Sequence, residues 1–309
     1  MSLRVLIVGA TGHIGRNLVE TFHREGHHPT ALARPASIHK LSGLNVEIEV
    51  SESPINYVGR NAHQFDWVID AAAPYPLELF VGRGYYQDAQ ERQRQIIDAC
   101  IKANAGLCYI SSFVTCLGTD TGYQKFKRRS SPYYVLKERL EQQVLNATKG
   151  GLNAISVNPT TVVGPGDYRE NSLIRLLING ALPVAMETTL NVIDARDLAH
   201  AVVGFLEQGQ APGPNLVGGH ETSVSEIISL LNISDRNQPI LIKHGRGLIA
   251  AGTSGLEALM QSFGTNTPVP ALLSFLMTEP LPQVEVSYST IPLKDSITDT
   301  LEWSQRNQL

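Results

Sequence analysis

Cysteine is scarce in this chain, long apolar runs are missing, and neither sign of charge is bunched. Three cysteines in 309 residues, Cys100, Cys108 and Cys116, are an odd number without the clustering of metal ligands. That excludes a disulfide framework and a thiolate metal centre, and leaves three reduced thiols. No metal site is expected. No apolar run reaches the ~18 residues of a membrane span. Only four residues precede the first apolar run, which leaves no room for a signal peptide, so a cytoplasmic location is expected. With 25 basic and 29 acidic residues the formal charge is −4, and no long basic run favours nucleic acid or a membrane surface. The expected partner is a small molecule, with a homodimer left open.

What is present is an ordinary globular composition, 42% hydrophobic and 17% charged, enough for one large core or two unequal ones. The most informative stretch comes first. Val5-Leu6-Ile7-Val8 is an unbroken aliphatic run, as in a strand covered on both faces of a parallel sheet. Gly9, Gly12 and Gly15 follow, and then Leu18, Val19 and Phe22 recur at helical spacing. This order of strand, glycine loop and helix is that of a dinucleotide site. Gly9 permits the sharp turn, Gly12 lets a pyrophosphate approach backbone N–H groups at the helix N-terminus, and Gly15 lets the helix pack close.

Pro29–Ala33 reads as a second strand ending at Arg34. A ribose 2′-hydroxyl calls for an acid there and a 2′-phosphate for an arginine, so Arg34 indicates NADP(H) over NAD(H). Val46–Val50 alternates like a third strand. Asp66–Pro74 reads as a fourth that ends in small residues, Ala71, Ala72 and Ala73, which leave space for a flat ligand. A helical period over 91–103 precedes a fifth strand, Leu107–Ile110, which delivers Ser111 and Ser112 at its C-terminal end. Ser131-Pro132 starts a helix on which Tyr133 and Lys137 share a face. Ten tyrosines and 25 basic residues give about one such pair by chance, so its weight comes from its place in the order. Ala154–Val157 is a sixth strand, closed by a loop rich in Gly and Pro. Asp194 or Asp197 can cap a helix running to about Glu207. Gly209–Gly219 reads as a connector, and His244 and Arg246 as residues of a solvated loop.

The alternation predicts an α/β fold with a doubly wound parallel sheet and a smaller, mostly helical C-terminal lobe. The expected boundaries are 1–165 for the nucleotide-binding domain, with 190–208 returning to it, and 166–309 for the substrate lobe.

Gly9-Ala10-Thr11-Gly12-His13-Ile14-Gly15, Ala33-Arg34-Pro35, Ile110-Ser111-Ser112, Tyr133 with Lys137, Asn158-Pro159-Thr160 and Gly164-Pro165-Gly166-Asp167 appear in an order that resembles the extended short-chain dehydrogenase/reductase superfamily. The resemblance is to its dihydroflavonol-reductase-like and nucleotide-sugar-epimerase-like branch, and the last ninety residues are poorly matched. It implies Tyr133 as the catalytic acid or base, Lys137 as its activator and Ser112 as the group polarising a carbonyl, with Ser111 or Thr115 as alternative hydroxyls. It implies a cofactor held by Gly9, Thr11, Gly12, His13, Ile14, Gly15, Arg34, Ala72, Ala73, Lys137, Asn158 and Pro159. The residues depart from the pattern at three places. No Asn stands in Ala89–Gln93, Asp70 stands where many relatives have His, and Ser51-Glu52 replaces Gly-Asp. The activity implied is NADP(H)-dependent reduction of a ketone or aldehyde, or oxidation of the alcohol. The alternatives are a nucleotide-sugar epimerase or dehydratase, and an NADP-binding redox sensor without catalysis.

Overall fold

The computed structural model describes residues 2–72, 84–116, 132–169, 172–181, 184–209, 213–233, 238–242, 284 and 287–307. Ala73 and the loop with His244 and Arg246 lie outside them.

A seven-stranded sheet in the order β10-β6-β5-β4-β1-β2-β3 carries the fold. Its members are β1 (Arg4–Val8), β2 (His28–Ala33), β3 (Glu47–Val50), β4 (Trp67–Asp70), β5 (Gly106–Ile110), β6 (Ala154–Pro159) and β10 (Pro214–Val217). Every neighbouring pair is parallel. The chain runs outward from β1 to β3, then returns through β4 to the other side. That reversal opens a crevice beyond the C-terminal ends of β1 and β4, where ligands sit in such sheets.

Helices cover both faces. On one, α1 (His13–Arg24) packs with α6 (Ala195–Gln208). Ile193 and Leu198 there join the same apolar core as Val5, Ile7 and Phe22. On the other, α2 (Pro54–Asn61), α3 (Gly84–Ala103) and α4 (Pro132–Lys149) bury Ile96, Leu136 and Leu140 against Leu6, Val8 and Leu107. Central strands buried on both faces explain why β1, β4 and β5 read as unbroken apolar runs.

A third core, with Ile174, Leu177, Val192, Ile227 and Ile297, belongs to the smaller part. It contains α5 (Leu173–Ile178), α7 (Val224–Leu231) and the C-terminal α8 (Leu293–Arg306). It also contains a sheet in the order β11 (His220–Ser223), β9 (Thr189–Asp194), β7 (Thr161–Val163) and a pair of β12 (Ile240–Ile242) with β8 (Val184–Met186), strands that the sequence reading does not anticipate. Asp194 caps α6 by accepting from the Arg196 N–H at 2.8 Å. Asp197 turns away, accepting from the Thr290 and Ile291 backbone N–H groups at 3.0 and 3.1 Å. The expected connector Gly209–Gly219 is corrected by β10, which pairs with β6 as the edge of the main sheet. Its Pro214 sits on the edge, where a missing N–H costs no ladder bond.

Candidate active site

The glycine loop shows which of its residues the protein itself demands. Gly9 has φ +86°, and a Cβ there would lie 2.7 Å from the Ala72 backbone nitrogen; at Gly15 a Cβ would lie 2.1 Å from the Gly9 carbonyl oxygen. Both are required by backbone and packing. Gly12 has an ordinary φ of −84°, and a Cβ there would touch only the Gly9 oxygen at 3.3 Å. Its other side opens on a cavity of about 250 Å³ lined by Gly12, His13 and Ile14. Helix α1 has no acid in its first turn and no side-chain cap. Its first N–H groups and its dipole therefore meet whatever enters, a setting that favours an anion. The residues fit a dinucleotide pyrophosphate.

Across the cavity, β5 ends in Ser111 and Ser112. A 3₁₀ turn over Phe113–Thr115 folds Ser112 back toward α4. The Tyr133 hydroxyl donates to Ser112 Oγ at 3.2 Å, and both residues are buried. Lys137, one helical turn on, is 5% exposed and holds its ammonium 5.6 Å from the centre of the Tyr109 ring. Burial brings the Lys137 pKa down to about 8, against Asp70 and Glu141, which favour its charge, while Arg92 adds to the fall. Ser112, Tyr133 and Lys137 line the same cavity as Gly12. Two hydroxyls 3.2 Å apart leave one position from which a carbonyl oxygen can accept from both. Ser111 also lines the cavity, and its buried Oγ has no hydrogen-bond partner among the described residues. The Thr115 hydroxyl instead donates to the Ser112 carbonyl at 2.9 Å.

Arg34 stands exposed at the end of β2, with no hydrogen bond or ion pair from its side chain to a described residue. Ala72 is half-buried beside Gly9, and its N–H is taken by Asp70 Oδ1 at 3.1 Å. Thr11 is half-buried at the loop's tip. Pro159 lines the cavity. Asn158 does so only through its neighbour, because its side chain is fully buried and turned inward. Its Nδ2 lies 2.6 Å from Glu141, 2.7 Å from Thr115 and 3.2 Å from the Ser112 carbonyl. Its side-chain amide is thus engaged inside the protein.

Two arrangements escape a sequence reading. Asp70, fully buried, takes both ends of the Arg92 guanidinium at 2.9 and 2.6 Å. The residue standing in place of a histidine and the helix without an asparagine thus meet as one ion pair. His13 does more than offer its backbone: its Nδ1 lies 3.7 Å from Asp167. Asp167 also takes Arg169 at 2.7 and 2.8 Å. Burial raises the Asp167 carboxyl, but His13 and Arg169 outweigh it and hold the group well below the usual carboxylate range. Burial pushes the His13 imidazole down.

Comparison with known proteins bears on this geometry. A provisionally named dihydroflavonol 4-reductase from Synechocystis sp. is 26% identical over 230 residues, 70% of this chain and 67% of that protein. Among solved structures, PA4631, a nucleoside-diphosphate-sugar epimerase from Pseudomonas aeruginosa, matches with TM-score 0.72 at 21% identity over 99% of both chains. The Bordetella bronchiseptica enzyme WbmH, in complex with NAD+, matches with TM-score 0.67 at 16% identity over 99% of this chain and 100% of that one. At these identities the structures speak for the fold. The family is settled by a model that spans the glycine loop, the Tyr133–Lys137 helix and the main sheet alike, residues 5–218. The chain belongs to the NAD dependent epimerase/dehydratase family, as an NAD(P)-dependent oxidoreductase or epimerase.

Proposed function

We propose that this enzyme is an NADP(H)-dependent oxidoreductase that reduces a ketone or aldehyde, or oxidises the matching alcohol, on a small or medium-sized molecule. The observation that carries the reading is the Tyr133–Ser112 hydroxyl pair at 3.2 Å, facing a cavity shared with the glycine loop and backed by Lys137. The bound cofactor supplies or takes the hydride. Ser112 donates to the carbonyl oxygen as charge builds on it, and Tyr133 delivers the proton. A phenol with a pKa of about 10 exchanges that proton poorly at neutral pH, and the buried ammonium of Lys137 favours its phenolate. Phe113, Val162, Leu173 and Ile174 give one side of the cavity an apolar wall suited to a carbon skeleton.

Arg34 supports the preference for a 2′-phosphate. It stands exposed at the end of β2, the strand end at which such folds read the ribose 2′ position, and is committed to no other described group. The epimerase alternative rests on the family as a whole. Denaturing purified protein and assaying the released nucleotide, then supplying NADPH with aldehydes, ketones and nucleotide sugars, separates the two. Stoichiometric NADPH consumption with a carbonyl supports the proposal. Tightly held NAD at one per chain, with a nucleotide sugar interconverted and no net redox change, overturns it.

A further inference from the structure

On α4 the residues Tyr133, Lys137 and Glu141 follow one another at single-turn intervals, so all three face the same way. The first two border the cavity. Glu141 lies one turn deeper, 5% exposed, and its Oε1 accepts from Ser156 Oγ at 2.5 Å and from Asn158 Nδ2 at 2.6 Å. Asn158 hands the connection on. Its Nδ2 reaches Thr115 Oγ1 at 2.7 Å and the Ser112 carbonyl at 3.2 Å, while its Oδ1 accepts from the Asn215 N–H on β10 at 3.1 Å. The Thr115 hydroxyl closes the turn onto the same Ser112 carbonyl at 2.9 Å. Both ends of the short turn that carries Ser112 are thus tied to a single amide.

An asparagine amide has two faces of opposite polarity and nearly equal shape. Turned over, Asn158 would set its oxygen against the Ser112 carbonyl and push the turn away. Two groups forbid that orientation, the Asn215 N–H on one side and the Glu141 carboxylate on the other. The carboxylate makes the stronger, charge-assisted bond. Neither Glu141 nor Asn158 touches the reacting atoms.

We propose that Glu141 is a positioning residue of the active site: acting through Asn158, it holds the Ser112–Thr115 turn so that Ser112 Oγ stays within hydrogen-bond reach of the Tyr133 hydroxyl. The proposal rests on the reading that these two hydroxyls act on one carbonyl oxygen. Catalytic rates respond steeply to such placement, a shift of about 1 Å costing up to ~10²-fold.

The test compares variants of the full chain in reduction of a carbonyl probe drawn from the screen above, with NADPH affinity measured separately. Glu141→Ala should lower kcat by about 30- to 100-fold and leave the NADPH Kd within about twofold. Glu141→Gln retains an acceptor toward Asn158 and should restore most of the rate. Ser156→Ala removes the other partner of Glu141 without touching the turn and should stay within about threefold of the parent. If Glu141→Ala does not fold, Thr115→Val cuts the same linkage from its half-buried end and should lower kcat by about 3- to 10-fold. Wild-type turnover in the variant that folds, an equal loss in Ser156→Ala, or a Kd that worsens in step with kcat would overturn the proposal. Crystal structures give a readout that needs no turnover. In Glu141→Ala, or in Thr115→Val if that variant replaces it, the Ser112 Oγ to Tyr133 Oη separation should exceed 3.5 Å, beyond hydrogen-bond reach, and an unchanged separation also overturns the proposal. If no carbonyl is reduced by the parent, the reductase reading fails while the positioning claim is still decided by that distance.

Discussion

Tyr133 and Lys137 owe their usefulness to opposite treatments of charge by the same buried helix face. The phenol needs a neighbouring cation, and burial makes that cation costly to keep. Tyr133→Phe should therefore lower kcat by about 10²- to 10⁴-fold with the NADPH Kd nearly unchanged, measured by steady-state kinetics and titration. With the Lys137 pKa near 8, its charge is present below that pH and lost above it. In the cofactor-free protein the electrostatic help that this charge gives Tyr133 should fade as pH rises through about 8, and the rate of carbonyl reduction should fall with it, read by rapid mixing with NADPH across a pH series. Lys137→Met removes a buried charge. It should raise the thermal midpoint of the cofactor-free protein by a few degrees while abolishing turnover, a trade of stability against function. Arg34→Asp should erase a preference for NADPH over NADH of at least about tenfold, or about 1.4 kcal/mol. These residues were legible because each stands at a position the local pattern marks: a strand end, a helix start, a glycine turn. Glu141 carried no such mark, and Asn158 was marked only as part of a motif, not as a partner of Glu141. Their partnership spans 17 residues of chain and exists only once α4 lies on β6.

Strand β4 and helix α3 illustrate the same limit at the level of elements. The sequence marks Asp70 only as a departure from the family pattern, and Arg92 as one charge in a charged helix. Folding buries the first completely and sets the second on it in a two-pronged bond. Arg92→Leu would leave Asp70 charged and buried without its paired guanidinium, and should destabilise the protein by about 3–5 kcal/mol in urea unfolding. The same carboxylate also holds the Ala72 N–H, so the floor of the cavity loosens with it. Six strands of the main sheet could be read because each is an apolar run or, in β3, an alternating one, followed closely by small residues, glycine or proline. The seventh, β10, hid among glycines and prolines, and its Leu216 is only partly buried. Strands β7, β8, β11 and β12 are three or four residues long, too short for a period of two to show.

Across the whole molecule, the C-terminal helix is tied to the return segment more firmly than sequence distance suggests. Arg196 bonds Asp194 at 2.9 and 2.7 Å and Asp299 at 2.7 Å. The Ser296 hydroxyl also reaches Asp194, at 2.6 Å. The loop Gly164-Pro165-Gly166 lies between the two ends of the chain. The Gly164 N–H donates to Thr300 Oγ1 at 2.9 Å, and the Pro165 carbonyl accepts from Asn17 of α1 at 2.9 Å. This loop therefore has no independent freedom: it is a strap buckled to the first helix and the last. A nucleotide that settles on the start of α1 tightens one buckle, and by thermodynamic linkage the gain is shared with everything fastened to the other. Calorimetry should accordingly show one melting transition rather than two, moving upward as a whole with added NADP(H). Hydrogen exchange should slow in α8, on the far side of the strap from the bound molecule.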